Sequence, residues 1–163
     1  MKLQQLLSYT RRAVDDFHMI EPGDRIAVGI SGGKDSLTML YALHGLRRFY
    51  PAPFEIEAIT VDLGFPDFDL SPIKALCEQM GVHYTIVKTA IYEVVFEIRR
   101  ESNPCELCAK MRKGAMNTAI NATGCTKVTY ANTKDDVAQT IVESTILDRL
   151  LYYVVPVEYH ALL

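Results

Sequence analysis

The chain has 163 residues, of which 49% are hydrophobic and 23% are charged. This length and composition exclude a predominantly disordered chain and predict one domain, or one domain with a short extension. The net charge of −3 excludes nucleic-acid binding by overall charge alone, although a local basic patch stays open. The sequence contains no run of about 18 apolar residues and no signal-like segment, so we expect a cytoplasmic chain without a membrane span.

Helical and strand patterns alternate along the chain. Apolar spacing predicts helices over 3–20, 35–49, 72–80, 108–123 and 135–150. Short apolar runs predict strands over 25–30, 54–61, 82–88, 127–131 and 151–157. Residues 91–100 fit either a helix or a strand.

This alternation predicts an α/β fold with a mostly parallel sheet and helices on both faces. We expect an N-terminal helix over 1–22 and an α/β domain over 23–163. Such sheets bind ligands beyond the carboxyl ends of their strands. Functional motifs are therefore expected in the loops that follow the strands.

A glycine-containing loop directly follows the first predicted strand. Its two glycines allow a tight turn with exposed N–H groups, and the next helix offers its positive N-terminal end to an anion. Two hydroxyls and a lysine add donors and charge, and an aspartate can cap the helix or help to hold a metal ion. This combination of residues predicts that the loop binds phosphate. An ordinary strand-to-helix turn is the alternative. Its residues are Ser31, Gly32, Gly33, Lys34, Asp35 and Ser36.

The two commoner nucleotide-binding motifs are not present in this loop. The P-loop requires a glycine where this chain has Val28, and a serine or threonine where it has Asp35. The dinucleotide fingerprint G-x-G-x-x-G is absent as well. The loop therefore represents another class of phosphate site.

Cys105 and Cys108 form a Cys-x-x-Cys motif after Pro104. The spacing lets both thiolates reach one metal ion or one cluster iron, the second from a helix N-terminus. A zinc site, a redox dithiol that carries sulfur and unliganded structural thiols are the alternatives. Cys77 lies in an apolar helical pattern and Cys125 starts a strand after Gly124, so both are predicted to be buried.

Five basic side chains surround the cysteine pair and give residues 99–113 an excess of three positive charges. They are the best candidates for contact with an RNA backbone, which would place a substrate beside the thiols. A solvated helix face is the alternative. The five residues are Arg99, Arg100, Lys110, Arg112 and Lys113.

The sequence SGGKDS after a strand resembles the PP-loop ATP pyrophosphatases, a group of adenine nucleotide α-hydrolase-like proteins. The run from Cys105 to Ala115 is similar to the tRNA 2-thiocytidine synthetase branch of that group. The resemblance extends from about Val14 to Thr140. It implies a Rossmann-like (HUP-type) fold, cleavage of ATP between the α and β phosphates, and activation of a carbonyl or carboxyl group as an adenylate.

The same resemblance implies the cofactors. ATP is expected at residues 31–36 with Mg²⁺ near Asp35, and adenine is expected beside Val61, for which a core position is the alternative. An iron–sulfur cluster, 4Fe-4S in type, is implied on Cys105, Cys108 and a third cysteine, with zinc as the alternative. In the family the third cysteine lies in a downstream segment, so we expect a truncated C-terminus here and a ligand from elsewhere.

A second nucleotide loop is implied after the fourth predicted strand. The family has Gly-His-His-x-Asp-Asp at this point, whereas this chain has Ala131, Asn132 and Thr133 followed by the retained pair Asp135 and Asp136. The aspartates are expected to orient Mg²⁺ or to cap the next helix. Asn132 can hydrogen-bond a phosphate, but it cannot supply the proton chemistry of a histidine.

From these residues we predict an ATP-dependent tRNA sulfurtransferase-like enzyme. The C2 oxygen of a pyrimidine, cytidine by resemblance, would attack the α-phosphate, with Lys34 and Asp35 in catalytic roles. Sulfur held at Cys105 and Cys108 would then displace AMP. The implied partners are tRNA and a sulfur donor such as a cysteine desulfurase. The apolar residues 151–157 indicate an edge strand or a contact with a second copy of the chain. The alternatives are a nucleotide-binding module without turnover and an ATP pyrophosphatase acting on a small substrate.

Overall fold

The computed structural model describes residues 3–100 and 103–132. The described helices are α1 (Leu3–Asp16), α2 (Lys34–Arg47), α3 (Ser71–Met80), a π-helix (Glu93–Arg99) and α4 (Pro104–Thr123). The described strands are β1 (Arg25–Gly29), β2 (Glu55–Asp62), β3 (His83–Lys88) and β4 (Lys127–Thr129). The helix predicted over 135–150 and the strand predicted over 151–157 lie outside the described residues.

The described strands form one parallel sheet in the order β3-β2-β1-β4. In the register of the central pair, Gly29 lies opposite Ile59. Parallel neighbours need crossover connections, and the helices between the strands supply them. The predicted Rossmann-like α/β fold is confirmed.

Helices cover both faces of the sheet, because most of the strand residues that point to each face are apolar. On one face, side chains of α1, α2 and α3 pack on β1 and β2 around the fully buried Leu40. On the other face, the π-helix and α4 pack around the fully buried Ile59 and Val95. In the described part of the chain, no helix is long and apolar enough to cross a membrane.

The chain divides into two compact units, Met1–Tyr130 and Ala131–Leu163. In the first unit, Val14 of α1 is buried in the same core as β1 and β2. The predicted boundary between an N-terminal helix (1–22) and the α/β domain (23–163) stays a prediction. In the second unit the structure describes Ala131 and Asn132.

Helix α4 begins at Pro104, whereas the sequence predicted its start at Cys108. That expectation was wrong by one turn. Proline suits the first helical position, because its fixed φ is helical and its missing N–H has no intrahelical partner there. The earlier start places both cysteines of the Cys-x-x-Cys motif on the helix. The segment 91–100 that fitted two patterns is mostly a π-helix.

A buried carboxylate joins three strands near the amino end of the sheet. Glu57 on β2 has no exposed surface, and its Oε2 accepts a hydrogen bond from Arg25 Nη2 at 2.9 Å. Its Oε1 lies 2.6 Å from His83 Nδ1 and accepts a hydrogen bond from Thr85 Oγ1 at 2.6 Å. Burial alone would raise the pKa of Glu57, but the hydrogen bonds outweigh burial and lower it.

Polar contacts also fix β4 beside β1. The Thr126 hydroxyl donates to Asp24 Oδ1 at 2.7 Å, and Lys127 Nζ lies 2.8 Å from Asp24 Oδ2. The N–H of Thr126 donates to the carbonyl oxygen of Arg25 at 2.8 Å. Burial would raise the pKa of Asp24, but the contacts with Lys127, Glu21 and Thr126 lower it overall. The start of β4 is therefore attached to the start of β1.

Candidate nucleotide site and thiol pair

The loop between β1 and α2 turns sharply at Gly32. Its φ of +84° lies in the left-handed region, which a residue with a Cβ adopts at a cost of about 1–2 kcal/mol. Gly33 then takes an extended conformation as the N-cap of α2, and Lys34 is the first helical residue. The loop therefore starts α2 directly at the carboxyl end of β1.

The buried hydroxyl of Ser36 organises the loop from the inside. Ser36 is 4% exposed, and its Oγ donates to the carbonyl oxygen of Gly33 at 2.9 Å. The same Oγ accepts hydrogen bonds from the backbone N–H and the hydroxyl of Ser31, both at 3.3 Å. Ser31 itself is exposed. Ser36 thus supports the loop from the inside, and the hydroxyl of the exposed Ser31 is bonded to it.

Strand β2 fixes the residue that precedes the loop. The N–H of Ile30 donates to the carbonyl oxygen of Ile59 at 2.8 Å, and the buried Thr60 hydroxyl donates to the carbonyl oxygen of Ile30 at 2.9 Å. The Tyr84 hydroxyl in turn donates to Thr60 Oγ1 at 2.9 Å. Burial raises the pKa of Tyr84, so this hydroxyl keeps its proton and remains a donor. Both backbone groups of Ile30 are therefore held in place.

The first turn of α2 offers an anion-binding surface. Residues 34–36 carry backbone N–H groups that have no partner within the helix, because these groups begin the helix. The helix dipole places positive potential at the same point, and Lys34 adds an exposed ammonium group. Asp35 is also exposed on this turn, where a carboxylate can hold a metal ion. The arrangement can bind a phosphate group.

The end of β2 forms the neighbouring part of the carboxyl edge. The carbonyl oxygen of Asp62 accepts hydrogen bonds from the N–H and the hydroxyl of Thr89, at 3.0 and 2.8 Å. Val61 is buried, and its side chain packs in the core with Ile91. A contact between adenine and Val61 stays a prediction.

Cys105 lies on the first turn of α4, and Cys108 begins the second. They are three residues apart, so the helix places them as neighbours on one face. Cys105 is exposed, whereas Cys108 is half-buried and packs against the core. The pair therefore presents one accessible thiol beside a second that is partly covered.

The thiol pair is not a complete metal site. Within residues 3–100 and 103–132, no group of three His, Cys, Asp or Glu side chains is arranged to hold a metal ion. Cys77 is buried in the core on the opposite face of the sheet. Cys125 follows the C-terminus of α4, at the other end of a helix about 30 Å long. The described residues therefore bring two thiols together but do not form a full ligand set for a metal ion.

The basic residues predicted to contact RNA lie on two elements and are exposed. They are Arg99 and Arg100 at the end of the π-helix, and Lys110, Arg112 and Lys113 on α4. Lys110 pairs with Glu106 at 3.0 Å, which offsets part of the positive charge counted in the sequence. The RNA-binding role of all five stays a prediction.

The second nucleotide loop falls largely beyond the described chain. Asp135 and Asp136 lie outside the described residues, and their roles in Mg²⁺ binding or capping stay predictions. Asn132 is exposed and belongs to the second compact unit. Its contact with phosphate likewise stays a prediction.

The sequence interpretation missed the support of the loop by Thr60 and Tyr84. A threonine inside an apolar strand was the available signal, since a buried hydroxyl needs a partner. The partner could not be identified, because Ile30 and Tyr84 come from other strands. The inward direction of the Ser36 hydroxyl was missed for a similar reason.

Comparisons with known proteins lead to the family that the sequence of residues 31–36 resembles. A family model described as a PP-loop domain matches residues 4–147. A tRNA-cytidine(32) 2-sulfurtransferase from Geobacter sulfurreducens is 37% identical over 142 residues, which are 86% of this chain and 55% of that protein. One from Erwinia tasmaniensis is 40% identical over 79% of this chain and 42% of its own length. The chain spans about half the length of the curated relatives that it matches.

Solved structures are also similar. The U34-tRNA thiolase NcsA from Methanococcus maripaludis, determined with its [4Fe-4S] cluster, matches with a TM-score of 0.72 and 26% identity. The match covers 91% of this chain and 52% of the thiolase. An NH3-dependent NAD synthetase from Campylobacter jejuni shares the fold, with a TM-score of 0.58 and 16% identity. The predicted resemblance is confirmed: the family model matches most of the chain, and the chain belongs to the PP-loop family.

Proposed function

We propose that the chain activates a pyrimidine carbonyl of tRNA for thiolation at the expense of ATP, with the C2 carbonyl of cytidine as the group activated. The observation that carries the proposal is the geometry of the PP-loop. Gly32 turns the chain, Gly33 caps α2, and the first turn of α2 points its N–H groups beyond the sheet. The relatives named tRNA-cytidine(32) 2-sulfurtransferases support the substrate class.

The proposed reaction has two steps. The C2 oxygen attacks the α-phosphorus of ATP, the bond from that phosphorus to the α,β-bridging oxygen breaks, and pyrophosphate leaves. Lys34 and the N–H groups of α2 stabilise the charge that develops on the phosphate. A sulfur nucleophile at the oxidation level of sulfide then adds to C2, and AMP leaves with the former carbonyl oxygen.

Two cofactors accompany this proposal. Mg²⁺ beside Asp35 would neutralise phosphate charge. For Asp135 and Asp136, a role in orienting Mg²⁺ is proposed from the family resemblance alone. Cys105 and Cys108 would be two ligands of an iron–sulfur cluster of the 4Fe-4S type, with zinc as the alternative. The neighbouring position of the two thiols supports a shared metal, and a further ligand has to come from outside the described residues.

The proposal also includes partners. tRNA would lie along the exposed basic side chains of α4 and the π-helix, and a sulfur donor such as a cysteine desulfurase would reload the sulfur. The site of action is the cytoplasm. A second copy of the chain is a further proposed partner, and sedimentation of the full chain tests it.

The first test is calorimetric titration of the full chain with a non-hydrolysable ATP analogue and Mg²⁺. Lys34→Ala is expected to weaken binding at least about 10-fold, equivalent to 1.4 kcal/mol. Lys74→Ala is the matched control, because Lys74 is an exposed lysine of α3 outside the loop. Equal binding by both variants would contradict a nucleotide site at the PP-loop.

Product analysis is the second test. Incubation with tRNA, ATP and sulfide is expected to give AMP and pyrophosphate in equal amounts. ADP as the product would contradict attack at the α-phosphorus.

A nucleotide-binding module without turnover is the second candidate function. Ala131, Asn132 and Thr133 favour it, because they stand where the family has Gly-His-His. Binding of the analogue without formation of AMP in the presence of tRNA would support this candidate over the first.

A further inference from the structure

Three aromatic side chains, of which two are exposed and Tyr92 is half-buried, form a group that we call the aromatic platform: Phe65, Tyr92 and Phe96. The ring centroids of Phe65 and Tyr92 are 4.7 Å apart, those of Tyr92 and Phe96 are 5.5 Å apart, and those of Phe65 and Phe96 are 6.2 Å apart. Phe65 and Phe96 nevertheless keep 43% and 41% of their surface exposed. A contiguous apolar surface of this kind marks a binding site more often than a single exposed ring does.

The platform rests on a fixed backbone. The loop after β2 carries Phe65, and the N–H of Gly64 donates to Asp62 Oδ1 at 3.0 Å. The N–H of Tyr92 donates to the carbonyl oxygen of Leu63 at 2.8 Å, which joins the start of the π-helix to that loop. The rings are therefore positioned by hydrogen-bonded backbone from two connections, and a ligand would meet a preformed surface.

The loop that carries Phe65 also reaches the PP-loop. A turn connects Phe65 to Phe68, since the N–H of Phe68 donates to the carbonyl oxygen of Phe65 at 3.3 Å. Such a turn keeps its first and last Cα atoms within about 7 Å. An atom in the Cβ position of Gly32 would lie 3.9 Å from Cζ of Phe68. One end of the turn thus belongs to the platform, and the other end lies against the phosphate loop.

Positive charge lies at the C-terminal end of the π-helix that carries Phe96. Phe96 is within this helix, Arg99 is its last residue, and Arg100 follows it, with both arginines exposed. Single-stranded nucleic acids are bound by aromatic rings that stack on bases together with positive side chains that contact phosphates. π-helices are also rare, and they occur frequently at functional sites. This combination fits an RNA strand better than an apolar protein surface.

We propose that the aromatic platform stacks an unpaired base of the RNA substrate and so holds that base at the carboxyl edge of the sheet beside the PP-loop. The inference rests on the proposed function, because it assumes that the substrate is RNA. Stacking on an aromatic ring requires a base that has left its neighbours, so the platform selects single-stranded over double-stranded RNA. The arginines after Phe96 hold the adjoining phosphates.

The experiment measures binding of a fluorescently labelled, cytidine-rich, single-stranded RNA to the full chain, with double-stranded RNA of equal length for comparison. Phe65→Ala and Phe96→Ala are each expected to weaken single-strand binding roughly 5- to 100-fold. Phe96→Tyr keeps an aromatic ring, so its affinity is expected to stay within about twofold of that of the unmodified chain. The matched control is Phe49→Ala, since Phe49 is as exposed as Phe65 and Phe96 but follows α2.

Salt dependence separates stacking from charge. The logarithm of affinity falls with the logarithm of salt in proportion to the phosphates neutralised. Phe96→Ala is expected to leave this slope unchanged, whereas Arg100→Ala reduces it by about one unit or less. Thermal unfolding and titration with the ATP analogue establish that each variant is folded and retains the nucleotide site.

The outcomes separate this inference from the proposed function. If the unmodified chain binds no RNA, the proposed function and the inference both fail. If it binds RNA and both alanine variants bind equally well, the inference alone fails. A dimer of the unmodified chain that Phe96→Ala converts to a monomer, with unchanged affinity for RNA, would show a contact between copies and would also overturn the inference.

Discussion

The buried hydroxyl of Ser36 donates a hydrogen bond to the carbonyl oxygen of Gly33 at 2.9 Å and so joins the first turn of α2 to the loop before it. The hydrogen bonds that Ser36 accepts from Ser31 complete a closed set within the loop. The loop therefore holds its shape through its own side chains. Binding of a phosphate therefore costs less free energy than it would if the loop had to become ordered on binding.

Removal of this hydroxyl should weaken nucleotide binding. We expect Ser36→Ala to lower affinity for an ATP analogue about 10-fold and the free energy of unfolding by about 1 kcal/mol. Thr38→Ala is the control, because the exposed Thr38 hydroxyl donates to the carbonyl oxygen of Lys34 on the same helix. Calorimetry and urea titration measure both effects, and equal affinities of the two variants would contradict the role of Ser36.

A Cβ at Gly32 should disturb the loop more than the fold. Gly32→Ala places a side chain at a φ of +84°, and we expect a loss of about 1 kcal/mol in stability together with at least about 10-fold weaker binding of the analogue. Gly23→Ala is the control, because Gly23 has a similar φ of +88° in the turn before β1. The control should lose similar stability and keep its affinity; weaker binding in both variants would show a general effect of unfolding.

Glu57 should make stability depend on acid pH. Hydrogen bonds lower its pKa below 4.5 despite burial, so its contribution is fully present above about pH 4.5 and is lost as pH falls through the folded pKa. At pH 7 we expect Glu57→Gln to lower the free energy of unfolding by about 1–3 kcal/mol.

Urea titrations between about pH 3 and 6 check this expectation. The stability of the unmodified chain should decrease more steeply below about pH 4.5 than that of Glu57→Gln. Glu55→Gln is the control, because Glu55 is an exposed residue of the same strand. Parallel curves for the unmodified chain and Glu57→Gln would rule out the assigned role.

The four thiols should differ in reactivity. In the metal-free folded chain we expect iodoacetamide to modify the exposed Cys105 first and the buried Cys77 last. Burial raises the pKa of Cys77, and it is also the largest cause of the raised pKa of Cys125. A raised pKa leaves less of each thiol as the reactive thiolate. Peptide mass spectrometry over time gives the order, and denatured protein provides the reference in which the four rates converge. Equal rates for Cys77 and Cys105 in the folded chain would be incompatible with the structure.

The sheet and the phosphate loop could be predicted because their signals are local. A short apolar strand, two glycines and a helical pattern specify the turn at Gly32 within a few residues. Alternation of such units then restricts the topology to a parallel sheet. The Cys-x-x-Cys motif was also visible, although its helix begins one turn earlier than the apolar spacing indicated, because Pro104 starts it.

The features that escaped prediction depend on residues far apart in sequence. Glu55 and Glu57 both alternate with apolar residues in β2, and nothing local distinguishes the exposed carboxylate from the buried one. The difference arises from His83 and Thr85 on β3, which become neighbours only when the sheet forms. The aromatic platform is similar, since its rings come from two separate connections.

The attachment of β4 to β1 has a consequence for how the chain folds during synthesis. The bond between Thr126 and Asp24 joins residues 102 positions apart, and that between Lys127 and Glu21 joins residues 106 positions apart. β1 ends at Gly29 and β4 begins at Lys127, so β1 can pair with β2 well before β4 has been synthesised. Until then, one row of backbone N–H and C=O groups of β1 is open to pairing with another nascent chain. Contacts of such long range also slow folding, so β4 is expected to be the last described strand to join the sheet.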